Sequence, residues 1–191
     1  MLEELGEPYE EVVLPYGPQM KSPEFRAISP MGKVPALTFG SVVVTETAAI
    51  CAWLADAFPQ AGLAPLPGDP LRADYLRWMF FAAGPYEQSM TLQSLKADYS
   101  GEQAGFVGTV PMAEIADILD ARIAGRTWLL GDRLSALDVY LGAQLSWGVM
   151  FKMLPERENI GAYVERLTGR EAWKRAEAKD NALAAAAAAG A

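Results

Sequence analysis

Glu46 and Thr47 stand side by side where a β run gives way to a helical pattern, and together they can hold an amino-acid head group. A helix start presents unpaired N–H groups and a partial positive charge, both of which favour a bound carboxylate. The Thr47 hydroxyl adds a donor, while the Glu46 carboxylate can pair an ammonium on the same carbon as that carboxylate. The same residues also read as plain capping, with Thr45 as the cap of a helix over 46–57. Upstream, Val34-Pro35 brings a loop into a strand, either as an ordinary trans proline or as a cis turn device. Cys51 sits among Ile50, Ala52 and Leu54 and reads as a small buried hydrophobe, not a nucleophile.

Absences narrow the chemistry. The 191 residues include no histidine, which removes Ser–His and Cys–His nucleophile schemes, imidazole acid–base work and His-containing zinc sites; no metal site is expected. One cysteine forms no internal disulfide. A net charge of −8 is the wrong sign for tracking phosphates, so no nucleic-acid partner is expected. The acidic opening Met1-Leu2-Glu3-Glu4-Leu5-Gly6 is not a secretory signal, and no apolar run reaches the roughly 18 residues of a membrane span. The expectation is a cytoplasmic protein with no membrane partner.

The elements that must position Glu46, Thr47 and Val34 follow from spacing. Residues 9–14 form a strand candidate ended by Pro15. Ser22-Pro23-Glu24 starts a helix with Ser as cap and Pro at the first helical position. Residues 34–39 and 42–44 are β runs separated by Gly40-Ser41, a pair suited to a two-residue hairpin turn. In the helix over 46–57, Ile50, Trp53, Leu54 and Phe58 fall on one stripe. Residues 58–70 hold four prolines and two glycines and read as an interdomain linker.

Beyond the linker the pattern predicts five helices. The first, over 71–90, is interrupted at Gly84-Pro85. Trp78, Met79, Phe80, Phe81 and Tyr86 near that break could line an apolar co-substrate pocket but read chiefly as core. Helices over 111–124, 135–151, 155–167 and 171–183 follow. The one over 135–151 is apolar almost all round and belongs in the middle of a bundle, with a capping box at Ser135 and Asp138 and a staple at Leu134 and Val139.

These motifs in this order (Lys21-Ser22-Pro23, Met31-Gly32-Lys33-Val34-Pro35, Glu46-Thr47, Ser135 to Asp138) resemble the cytosolic glutathione S-transferases along essentially the whole chain, the bacterial and serine-dependent plant-type classes most closely. The resemblance implies an α+β fold: a thioredoxin-like domain over 1–58, truncated at its N-terminus, a linker over 59–70 and an all-α domain over 71–191. It implies a cis Pro35, with the Val34 backbone holding the cysteinyl part of glutathione like an added strand. Glu46 and Thr47 would hold the γ-glutamyl group, and Lys21 and Lys33 would reach the glycine carboxylate and the peptide backbone. Serine is the commoner family residue at the Thr47 position, and threonine keeps its hydroxyl.

The family begins with a strand, a loop and a helix before the segment matching residues 2–6, and that loop carries the Ser, Tyr or Cys that meets the glutathione sulfur. The catalytic residue is therefore unknown here, and the expectation is a record shortened upstream of Met1. The lost strand would lie inside the sheet, between residues 9–14 and 34–39. The function implied is conjugation of glutathione, as co-substrate, to a small-molecule electrophile in a homodimer. The alternative is a non-catalytic glutathione-binding or scaffold protein on the same fold; glutathione-dependent isomerase or disulfide chemistry is a third option. Arg72, Asp74 and Arg77 could pair across a dimer interface.

Overall fold

The computed structural model describes residues 1–189, with side chains described to residue 186. One helical turn, α1 (Leu2–Leu5), opens the chain. An extended stretch and a 3-10 turn at Pro18–Lys21 lead to α2 (Pro23–Ile28). Ser22 caps α2 by accepting the Phe25 N–H at 3.2 Å, and Pro23 occupies the first helical position, where a missing N–H costs nothing.

β1 (Ala36–Phe39) and β2 (Val42–Thr45) form an antiparallel hairpin with Phe39 opposite Val42. Gly40 carries φ 58°, the positive value that a primed two-residue turn asks of its first central residue. α3 (Thr47–Ala57) folds back against the hairpin, where the Phe39 ring meets Trp53 and Phe58 at 5.5 and 6.1 Å.

Two expectations about this half are corrected. Residues 9–14 are extended but form no strand: the sheet is β1–β2, and no backbone group of this segment meets another among the described residues. β-propensity is realised only against a partner, and Val12 and Val13 stand exposed. Nor does Thr45 cap α3. Pairing with Ala36 holds Thr45 in β2, so the turn into the helix falls on Glu46, at φ 68° and ψ 120°.

The second half is helical: α4 (Leu71–Phe81), α5 (Glu87–Ser94), α6 (Met112–Ile123), α7 (Ala136–Met150), α8 (Glu158–Thr168) and α9 (Glu171–Ala189). α4 and α5 are joined by a π-helical turn at Ala82–Tyr86 that contains Pro85. Proline supplies no N–H to the ladder, and the widened turn absorbs the break. Thr109 donates its hydroxyl to the Pro85 carbonyl at 2.6 Å, which fixes the loop before α6 against this bend. α8 starts at Glu158, three residues past Pro155, and α9 continues beyond 183.

The core gathers around α7, whose Leu137, Leu141 and Leu145 are fully buried and which packs along α3, α4 and α8. The expectation that α7 is enclosed throughout holds for its first three turns only. Trp147, Met150 and Phe151 are more than half exposed, because the last turn runs past the bundle. Trp147 and Met150 line an apolar cleft of about 390 Å³ shared with Trp173 of α9.

The charges of α4 find partners within the chain. Arg72 forks onto both oxygens of Asp56 at 2.7 Å and donates to the Pro65 carbonyl at 2.8 Å, tying α4 to α3 and to the linker. Asp74 pairs with Arg122 of α6, and Arg77 lies over the Trp78 ring at 4.2 Å.

Candidate functional site

The open end of the hairpin collects the residues marked in the sequence. The Val34–Pro35 peptide bond is cis. Among the described residues neither the N–H nor the C=O of Val34 meets a backbone partner. Val34 lies two residues before Ala36 and Thr47 two residues after Thr45, and Ala36 with Thr45 is the last pair at the open end of the hairpin. Unpaired backbone on one side and, on the other, the start of α3, whose first N–H groups have no partner within the helix, thus leave the same end of the hairpin.

Glu46 and Thr47 are both exposed, and among the described residues neither side chain has a hydrogen-bond or ion-pair partner. An acceptor carboxylate, a hydroxyl and the free N–H groups of α3 thus share one corner, the donor and acceptor set that an α-ammonium carboxylate requires.

The loop leading to Val34 is braced from two sides. Lys21 donates its ammonium to the carbonyls of Met31 and Gly32 at 2.9 and 2.8 Å. Buried Ser29 donates to the Lys33 carbonyl at 2.8 Å and accepts the Lys33 N–H at 3.3 Å. Gly32 has φ 59°, and a Cβ on it would collide with the Met20 carbonyl oxygen, so only glycine fits between this loop and the Pro18–Lys21 turn. Lys33 is exposed with no side-chain partner among the described residues, while two of the three Lys21 N–H groups are already committed to the loop.

Cys51 lies one turn along α3 from Thr47, and burial pushes its thiol pKa up, the reverse of an activated nucleophile. Asp138, beneath the α7 cap, accepts four hydrogen bonds: from Leu129 N–H, the Ser135 N–H and hydroxyl, and the Tyr163 hydroxyl. The Ser135–Asp138 cap is structural, sealed from solvent and remote from the hairpin end in the chain.

Sequence reasoning missed one polar cluster. Glu87 Oε1 on α5 accepts the Tyr140 hydroxyl at 2.6 Å and the Gln144 amide N–H at 2.7 Å, both from α7. The available signal was the spacing of Tyr140 and Gln144, four apart on an otherwise apolar helix.

A small α+β unit built on a hairpin, a cis proline and a helix start, followed by a helical bundle, is the glutathione-transferase class of fold. A family model for the glutathione S-transferase N-terminal domain matches residues 1–57. The crystal structure of a glutathione transferase from Methylococcus capsulatus superposes with a TM-score of 0.74 at 30% identity, covering 94% of this chain and 90% of that one. A sphingomonad glutathione S-transferase in complex with glutathione superposes at 0.61 with 30% identity, covering 82% and 78%. A glutathione S-transferase of Xanthomonas campestris is 29% identical over 133 residues, a match spanning 67% of this chain and 65% of the relative. The chain belongs to the glutathione S-transferase family. Its N-terminal unit is the thioredoxin-like glutathione domain of that family, here holding a two-stranded sheet, and its C-terminal unit is the helical one.

Proposed function

We propose that the chain binds glutathione at the open end of the hairpin and joins its sulfur to a small electrophile. What supports this reading is that the unpaired Val34 backbone and the unpaired Glu46 and Thr47 flank the same end pair, Ala36 with Thr45, of the hairpin. The cysteinyl peptide unit of glutathione would run antiparallel to Val34, giving and receiving one main-chain hydrogen bond. Glu46 would take the γ-glutamyl ammonium, and Thr47 with the N–H groups of α3 its carboxylate. Lys33 would face the glycine carboxylate, with Lys21 holding the loop and offering its third N–H. In the reaction the thiol loses its proton, the sulfur attacks an electrophilic carbon, a C–S bond forms and a leaving group such as halide departs with the bond's electron pair. Free thiol has a pKa near about 8.5, so orienting and deprotonating the sulfur is what a protein contributes.

This reading assigns residues 1–58 to glutathione, 59–70 to the linker and 71–191 to the wall facing the electrophile. It carries with it a homodimer and a cytoplasmic location; no helix among the described residues is long and apolar enough to cross a membrane. Calorimetry with glutathione tests the binding half, and turnover of 1-chloro-2,4-dinitrobenzene tests the chemistry. Binding in the wild type that is lost in Glu46→Ala supports the site; equal binding by both proteins removes it. Binding without turnover above the solution rate selects the non-catalytic alternative.

A further inference from the structure

Among the described residues, Ser29 is the one polar side chain buried ahead of α4, at 2% exposure. It ends α2, where its N–H donates to the Phe25 carbonyl at 2.8 Å, and its own carbonyl accepts the Gly32 N–H at 2.7 Å. Its hydroxyl serves a single residue: it donates to the Lys33 carbonyl and accepts the Lys33 N–H. Every polar group of Ser29 is thus engaged by α2 or by the loop, and both backbone groups of Lys33 are occupied.

The effect of this pairing reaches the next residue. The Lys33 carbonyl and the Val34 N–H belong to one trans peptide unit, which is planar and holds the two groups pointing in opposite directions. The 2.8 Å bond from Ser29 to that carbonyl therefore fixes where the Val34 N–H points. A hydrogen bond accepted by the carbonyl of an amide also polarises the unit and strengthens its N–H as a donor. Lys33, already paired, offers a ligand only its side chain. Val34 is 43% exposed, has no backbone partner among the described residues, and offers its main chain. Lys21 holds the same loop at the Met31 and Gly32 carbonyls, at least one peptide unit further from Val34, so it does not set this plane.

We infer that Ser29 is a positioning residue for the glutathione site: through the Lys33 peptide unit its hydroxyl aims the Val34 N–H at the cysteinyl carbonyl of the ligand. Because the donor is held before the ligand arrives, little backbone freedom is lost when it pairs. Ser29 itself touches no part of glutathione. It acts on one main-chain bond and not on the γ-glutamyl head, which Glu46 and Thr47 would hold.

The inference rests on the glutathione reading, and the test separates the two. The full chain is labelled with ¹⁵N-valine, and the Val34 amide proton is followed by nuclear magnetic resonance while glutathione is added. In the wild type this proton is expected to move downfield to saturation, as an N–H does on gaining an acceptor, and the same titration reads the affinity. Ser29→Ala is expected to weaken glutathione about tenfold and to cut the downfield shift at saturation to about half. Ser29→Cys keeps the volume with a weaker donor and is expected to fall between the two, and it carries the test where the alanine variant does not fold. A full-sized shift in the variants overturns this inference alone, since the serine would then support the loop without aiming the N–H. Unchanged affinity in Ser29→Ala overturns it as well, and so does binding by the wild type that leaves the Val34 proton unmoved. Absence of glutathione binding by the wild type removes the glutathione reading and this inference with it.

Discussion

Tyr163 of α8 donates its hydroxyl to Asp138 of α7 across 2.9 Å, and neither side chain reaches solvent. Asp138 Oδ1 also accepts the Leu129 N–H at 2.7 Å, from the turn before α7, while Oδ2 takes both groups of Ser135 at 2.8 Å. One carboxylate thus fastens the α7 start, the preceding turn and α8. Burial raises its pKa and the four donors lower it, burial being the larger influence. The bundle that presents Glu87 and Tyr140 is registered by this contact.

Replacing Asp138 should therefore unfold the bundle before it changes any site. Asp138→Asn sets an amide NH₂ where one carboxylate oxygen took two donors, strands the Leu129 or Ser135 backbone N–H there, and takes the charge from the bonds that remain, a loss of about 3 kcal/mol. Tyr163→Phe removes one donor and should cost only about 1–2 kcal/mol. Urea melts of the three proteins check the order; equal midpoints for the two variants would show that Leu129 and Ser135 do not depend on the carboxylate.

Gly32→Ala should abolish glutathione binding while leaving the helical signal intact. The added methyl would meet the Met20 carbonyl, which belongs to a backbone turn and cannot swing aside, at a φ of 59° that alanine resists. The loop must shift, and Lys33 and Val34 shift with it. Far-ultraviolet circular dichroism with calorimetry checks both halves; tight binding by this variant would show that the loop position is immaterial.

Local signals carried much of this fold. Gly40-Ser41 between two β runs and the Ser22-Pro23-Glu24 helix start act within a few residues, so the hairpin and the α2 cap stand where their sequence puts them. Residues 9–14 show the limit, because a strand exists only by pairing and pairing is not a local property. The exposed Trp147 and Met150 at the end of α7 show another: periodicity reports which side chains are apolar, not where the bundle stops. At the proposed site, Val34, Glu46 and Thr47 stand out in the sequence because they flank the hairpin ends and match the motifs of the family. The bracing of the loop by Lys21 and the meeting of Glu87 with Tyr140 depend on packing between segments far apart in sequence.

Acid should loosen the clasp between α1 and α9. Lys179, Arg175 and Tyr9 all bond the Glu3 carboxylate and hold its pKa down at about 2. A depressed carboxyl pKa means that the unfolded chain binds the proton first. The contribution is complete above the ordinary value near about 4.5 and fades as pH falls toward 2. Glu3→Gln should therefore lower the melting temperature at neutral pH, with the gap to wild type closing between pH 4.5 and 2. A gap independent of pH would mean that the carboxylate charge contributes nothing to the clasp.

Glu46→Gly should stabilise the fold and destroy the site together. Glu46 sits at φ 68° and ψ 120°, a region that a residue with a Cβ enters at a cost of about 1–3 kcal/mol and that glycine enters freely. Its side chain makes no hydrogen bond or ion pair that offsets this among the described residues, so relief of strain outweighs the roughly 0.5–1 kcal/mol of backbone entropy that glycine adds. The melting temperature should rise by a few degrees. The same variant loses the acceptor for the γ-glutamyl ammonium, and glutathione affinity should fall at least tenfold. Thermal melts with and without glutathione read both effects: a lower melting temperature in the absence of ligand would refute the strain, and an undiminished ligand-induced shift would refute the role of the carboxylate.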